Sequence, residues 1–438
     1  MKKIISLLSI IISLNSFAIE FPIKTTTLPN GLKVIVCEKS TSPMVQMEVW
    51  YRVGSKDEWD GVRGMAHMFE HMMFRGSKKF SGEGDVYIHE LEKLGSVTNA
   101  YTTFDRTVYH QELPKEHIEK VFAMEADRME NLILDQKVLD TEREVVGEEL
   151  RLGENNWYRR VNSERYKHLY PNNHPYQVDV IGNLNEITAF TTKQCQDFYD
   201  KFYSPNNAFL VIVGDVNAEK IFELAATYFG PIKKQLPLNI KKTEPDVFSF
   251  APTVEELPID YPVQIYSYII PSPAVGTPDF YKFNLLRDLL FSNSNSILNN
   301  SIVEKGNMAY AIQSITDDSH LYNSIAVFDV IMEAQVGNAK VKKAISKEIY
   351  SIINEGIDQE LIDNYIKHLE TRQTFENFAN EEIAAKLGYA EYYFNDYKKY
   401  NQTLKNYKTI KAEDLTETCK KYFNPEAIKV INIKPMME

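Results

Sequence analysis

The chain has 438 residues, 44% of them hydrophobic, which is enough apolar side chain for two or more packed domains and excludes a disordered polypeptide. Its formal net charge of −12, or −14 without Lys2 and Lys3 (−12 − 2), argues against a nucleic-acid partner and gives a general tendency toward basic peptides. Three cysteines, Cys37, Cys195 and Cys419, cannot all pair with one another, so the chain is no disulfide scaffold and buried thiols are expected.

The first 18 residues read as a signal peptide. Lys2 and Lys3 form a positive start, residues 4–14 an apolar core, and Ser16-Phe17-Ala18 a small-x-small cleavage site. The apolar run falls short of the ~20 residues that a membrane span needs, and no later segment reaches that length. A periplasmic or secreted protein is therefore expected.

Pro29-Asn30-Gly31 marks a turn into a strand over 32–37, and a second strand is expected over 45–53. A helix over 61–74 then carries His67-Met68-Phe69-Glu70-His71, an H-x-x-E-H motif. Each helical residue turns by about 100°, so His67 and His71 project from one face, about 40° apart. Imidazole suits Zn²⁺, and two imidazoles on one rigid turn supply two corners of a tetrahedron. Glu70 shares that broad face and can reach a water at the metal. Histidine pairs at this spacing also occur as helix caps and in satisfied core positions, so a third donor is needed to decide between the readings.

Strands over 97–103 and 107–113 flank Phe104-Asp105-Arg106 as a hairpin, and helices follow over 116–132, 136–151 and 192–202. The helix over 136–151 contains Glu142 and Glu149, seven residues apart and hence stacked on one face. A catalytic zinc site takes three protein ligands and leaves one position open. Glu149 is the expected third ligand and Glu142 the group that orients a ligand or the water. By itself such a run is a solvated acidic face; the histidine motif turns it into a donor.

A weak duplication organises the rest of the chain. Lys201-Phe202-Tyr203-Ser204-Pro205 before an apolar run is echoed by Lys421-Tyr422-Phe423-Asn424-Pro425, 220 residues later (425 − 205). Val45-Gln46-Met47 and Val263-Gln264-Ile265 repeat at 218 (263 − 45). Neighbouring strands followed by runs of helices indicate an α+β fold. Two duplicated α/β units are expected, each an antiparallel sheet with helices packed against it. The expected division is a signal peptide at 1–18, a metal-binding unit at 19–235, a Pro-, Lys- and Glu-rich linker at 236–259, and a second unit at 260–438 without an H-x-x-E-H counterpart.

With the segment from Glu142 to Glu149 placed behind it, the histidine motif resembles that of the pitrilysin/insulinase family of zinc metallopeptidases, an inverzincin arrangement. Asn99-Ala100-Tyr101-Thr102-Thr103-Phe104-Asp105-Arg106-Thr107-Val108-Tyr109 is similar to a second family segment, and His174-Pro175-Tyr176 and Ser204-Pro205-Asn206-Asn207 also fit. In length the chain is most similar to the branch holding the mitochondrial processing peptidase subunits and their bacterial relatives. The resemblance implies one Zn²⁺ per chain held by His67, His71 and Glu149, with Glu70 as general base. It also implies an extended peptide substrate lying along Asn99, Ala100, Tyr101 and Thr102. In the second unit the resemblance points to Tyr310 as a further substrate contact, although Val303 stands where relatives often have arginine and Asn307 where glycine is usual. A chain of two such units is half of the clamshell of the longest members, which implies a homodimer. The function expected is zinc metalloendopeptidase. The alternatives are a non-catalytic peptide-binding or structural subunit of the same fold, and a zinc hydrolase acting on other substrates.

Overall fold

The computed structural model describes residues 21–170, 174–235, 254–259, 263–292, 294–314, 320–333, 335–426 and 428–435. The expected signal peptide and the stretch 236–253 of the expected linker lie outside them. The first half is built on β1 (Ile23–Thr27), β2 (Lys33–Glu38), β3 (Met44–Tyr51), β4 (Val97–Thr102), β5 (Thr107–Pro114) and β6 (Ala208–Gly214). Its helices are α1 (Met65–Met72), α2 (Val86–Glu92), α3 (Ile118–Glu130), α4 (Gln136–Asn155), α5 (Trp157–Leu169), α6 (Leu184–Ala189), α7 (Thr192–Phe202) and α8 (Ala218–Tyr228). The second half carries β7 (Val254–Ile259), β8 (Val263–Ser272), β9 (Ala311–Ser314), β10 (Ser324–Glu333) and β11 (Lys429–Pro435). With them come α9 (Phe280–Phe291), α10 (Asn338–Glu355), α11 (Gln359–Glu376), α12 (Asn380–Phe394), α13 (Gln402–Tyr407) and α14 (Ala412–Tyr422).

The strand orders are β1-β2-β6-β3-β5-β4 and β7-β11-β8-β10-β9, so the second sheet repeats the first without a counterpart of β1. Both are mainly antiparallel, and each holds one parallel pair, β2 with β6 and β7 with β11. The segment Val254–Ile259, expected inside the linker, is therefore a strand. It begins 221 residues after β2 (254 − 33), as β11 begins 221 after β6 (429 − 208). Its Glu-Glu-Leu-Pro sequence lacks the alternation that signals a strand, and only pairing with β11 reveals it.

Each sheet is buried on both faces, and the second cover of each comes from the opposite half. On the first sheet, alternation sends Val34, Val36, Met47, Val49, Leu210 and Ile212 into a core with the helices of their own half. Ile35, Trp50, Phe209, Val211 and Val213 point the other way, onto Ile383, Ala384 and Leu387 of α12. Reciprocally, Val161 of α5, with Tyr170 and Tyr176 after it, covers Ile265, Ile269, Val327 and Ile431 of the second sheet. Buried Asp105, from the β4–β5 turn, ties the seam: it accepts from the Tyr176 hydroxyl at 2.8 Å and the Leu321 N–H at 3.0 Å. The halves are thus clasped, each completing the core of the other. All three cysteines are buried free thiols.

Candidate metal centre

The helix expected over 61–74 is shorter, Met65–Met72. Gly61 and Gly64 adopt φ of +91° and +94°, left-handed conformations that end a helix, and they hold the start of α1 at Met65. Buried Glu58 replaces the missing turn: its carboxylate accepts the N–H groups of Gly64 and Ala66, each at 2.8 Å. Gly64 also packs against Gly182 (φ +79°), where a Cβ would lie 2.4 Å from the Arg63 carbonyl oxygen. At the other end the Tyr109 hydroxyl donates to the Phe69 carbonyl at 3.1 Å. α1 is therefore held at both ends.

α4 lies against α1 and brings in the acids. Asp135 caps it by accepting the Val138 N–H at 2.8 Å. Glu149 Oε2 stands 3.7 Å from His67 Nε2 and 3.5 Å from His71 Nε2, and one donor atom from each of the three residues lies within 4.8 Å of the others. Glu142, 1% exposed, lies 3.6 Å from His71 Nδ1 on the side away from Glu149. It is ion-paired to Arg75, whose other branch reaches Asp85 at 3.2 Å.

The charges follow from burial and from these neighbours. Burial, then the adjacent His71, pushes His67 down to about 4, so its imidazole is neutral, the form that coordinates metal. Burial opposes charge on His71 too, but the Glu149 hydrogen bond and the Glu142 and Glu70 carboxylates outweigh it and raise His71. Glu149 is lowered, first by its bond to His71. Burial raises Glu70 against the hydroxyl and backbone of Thr102, which both hydrogen-bond its carboxylate.

The donor set fits a zinc ion. Ligands on ~2.0–2.1 Å bonds in a tetrahedron stand ~3.3–3.4 Å apart, close to the Glu149 separations seen here. His67 Nδ1 is buried without a hydrogen-bond partner among the described residues. Two lone-pair donors face one carboxylate oxygen, an arrangement that a divalent cation neutralises.

The expected substrate residues are only partly placed at this centre. β4 is the outer strand of its sheet, so among the described residues one of its edges is unpaired. Asn99 Oδ1 accepts the Ala100 N–H at 2.9 Å, and the Ala100 side chain enters the core on the α1 side. Thr102 touches Glu70 instead of open space. At Tyr101 alternation sends the ring to the opposite face, where Arg106 stands 5.6 Å from its centroid, while its backbone stays on the outer strand. Tyr310 is 61% exposed on the second sheet, and its hydroxyl donates to Glu333 at 2.8 Å. Val303 lies in a π-helical turn, Asn299–Glu304, and Asn307 adopts a left-handed φ of 46°.

Arg75 and Glu58 are site residues that the sequence reading missed. Arg75 stands four residues after His71, in the turn that follows α1, and that one-turn spacing is the signal that could have found it. Arg75→Leu should weaken zinc binding about 10- to 100-fold by freeing Glu142, with helix content unchanged, measured by competition with a metal chelator.

Two sheets with a duplicated order and an H-x-x-E-H helix facing a glutamate helix define the architecture of a zinc-peptidase family. The chain belongs to that family: residues 33–178 match the profile described as Insulinase (Peptidase family M16), and residues 189–369 the profile described as Peptidase M16 inactive domain. The second match begins at the last residue of α6 and so is not coextensive with the second sheet. The chain is 27% identical to the zinc protease PqqE of Helicobacter pylori over 94% of its own length and 93% of that protein. It is 28% identical to mitochondrial-processing peptidase subunit beta of Saccharomyces cerevisiae, over 48% of this chain and 45% of that one. A crystal structure of a protease from Helicobacter pylori shares the fold at a TM-score of 0.87 and 24% identity, covering 95% of this chain and all of the other. The periplasmic protease PqqL from Escherichia coli shares it at 0.74 and 20% identity, with 94% of this chain matching 47% of that one.

Proposed function

We propose that this chain is a zinc metalloendopeptidase that hydrolyses short or unfolded peptides. The observation that carries the reading is the convergence of His67, His71 and Glu149, from two separate helices, within 4.8 Å. These three would hold the metal, and when bound it supplies Lewis acidity toward a peptide carbonyl and toward water. Glu142 and Arg75 hold the His71 ring. Glu70 receives a proton on a carboxylate oxygen from the attacking water and returns it to the leaving amine. Its raised proton affinity, caused by burial, brings it nearer the working range of a general base. Thr102 restrains that carboxylate and sits on β4, so an extended peptide added at the β4 edge would run past Glu70.

No described helix is long and apolar enough to cross a membrane. Periplasmic placement is supported by the leader-like start and by the likeness to PqqL of Escherichia coli, a periplasmic protease. That this chain matches about half of the PqqL chain supports a homodimer as the complete assembly. A proteolytically active species sedimenting at the 50.6 kDa chain mass would remove that part of the proposal. The competing reading, a non-catalytic subunit, draws on the inactive-domain profile, but that match lies outside the motif and Glu149.

The test is metal analysis beside a peptide-pool digest mapped by mass spectrometry. The expected result is one zinc per chain, cleavage lost on chelation and restored by zinc, and a Glu149→Gln protein that folds with its zinc affinity reduced at least about tenfold. A metal-free protein without cleavage would support the non-catalytic reading.

A further inference from the structure

The start of α5 places a cation beside the centre. Asn156 caps this helix by accepting the N–H groups of Tyr158 and Arg159 at 3.0 and 3.2 Å, and Val161 anchors it against the second sheet. Gly153, in the last turn of α4, leaves room for the Arg159 side chain: a Cβ there would come within 3.3 Å of Cδ and 3.4 Å of Nη1. From this seat Nη1 stands 4.0 Å from Glu149 Oε1, beyond hydrogen-bond reach, and the side chain is 59% exposed. Among the described residues Glu149 is its only ion-pair partner. Asp179, another acid within its field, is held by the backbone N–H groups of Val180 and Ile181.

Two physical consequences follow. With Glu149 ligating a divalent cation, its charge no longer offsets Arg159, which then stands at this rim without a neutralising partner among the described residues. A guanidinium with unused donors in a planar fork is shaped for a carboxylate, which it binds through two parallel hydrogen bonds. The other flank of Glu149 carries exposed Val145 and Leu152 with the Glu144 and Glu148 carboxylates, so Arg159 is the cation on its own side of Glu149.

We propose that Arg159 is a specificity-determining residue that receives a carboxylate of the bound peptide, selecting bonds next to an acidic side chain or to the C-terminal carboxylate of the peptide. This inference rests on the peptidase reading, and it reverses the preference for basic peptides that net charge alone suggests.

The experiment measures binding rather than turnover. Zinc-loaded Glu70→Gln protein, alone and with Arg159→Gln or Arg159→Glu added, is titrated with fluorescent octapeptides that are neutral, carry one glutamate or carry one lysine. Each peptide is made with a free and an amidated C-terminus. The expected result is about tenfold tighter binding of the carboxylate-bearing peptide, abolished by Arg159→Gln and turned toward the lysine peptide by Arg159→Glu, with zinc content and neutral-peptide affinity unchanged. Dependence on the glutamate identifies a side-chain carboxylate, and dependence on the free C-terminus a terminal one. A preference unchanged in Arg159→Gln overturns the proposal while the peptidase stands. Zinc loss with equal weakening of every peptide also overturns it, making Arg159 a support for Glu149. Wild-type protein that takes up no zinc and cuts no peptide removes the reading beneath it.

Discussion

Glu70→Gln will retain one zinc per chain and lose peptide hydrolysis by about 10²- to 10⁴-fold, the usual contribution of a positioned general base. Glutamine keeps the shape of the side chain and can still accept from Thr102, so α1 and the hairpin stay in place. What it loses is the capacity to take a proton from water. Glu70 is not among the three converging donors, so metal content should not change. The measurement pairs metal analysis with cleavage rates on one purified sample. Wild-type cleavage in the variant would move the base elsewhere, and zinc loss would make Glu70 a ligand.

Gly388→Ala will lower stability by about 1–3 kcal/mol, seen as a lower urea midpoint, although alanine favours a helix by about 1 kcal/mol over glycine. Gly388 is where α12 presses on the first sheet: a Cβ there would lie 2.2 Å from Trp50 Cε2 and 2.3 Å from Cζ2. Trp50 cannot give way easily. It is 1% exposed, donates from Nε1 to Glu48 at 2.7 Å, and stacks on Phe209 at 5.6 Å between ring centroids. The collision therefore outweighs the gain in helix propensity, and its cost falls on the seam between the halves. In a Trp50→Leu background the same substitution should cost far less, a coupling that a double-mutant cycle measures. A Gly388→Ala protein as stable as its parent would show that α12 can lift from the sheet without loss.

Much of this molecule is local in character and so is legible from order alone. The spacing of His67, Glu70 and His71 on one turn and the stacking of Glu142 and Glu149 follow from the helix period, and the short apolar runs of β2 and β6 mark strands buried on both faces. The echo of one half in the other is likewise a property of the amino-acid order, and it announces a repeated unit.

Other features depend on contacts between residues far apart in the chain. β7 is a strand because β11 lies alongside it, and α1 begins at Met65 because Gly64 meets Gly182 and Glu58 caps its first N–H groups. The face that the Tyr101 ring presents follows from the register of β4 on β5. Which half covers which sheet, and that Arg159 stands beside Glu149, arise from the exchange of α5 and α12 between halves. Hydrophobic periodicity says that a face must be buried but not by which partner, because burial depends on area and not on identity. That choice belongs to shape and packing, and only the folded chain makes it.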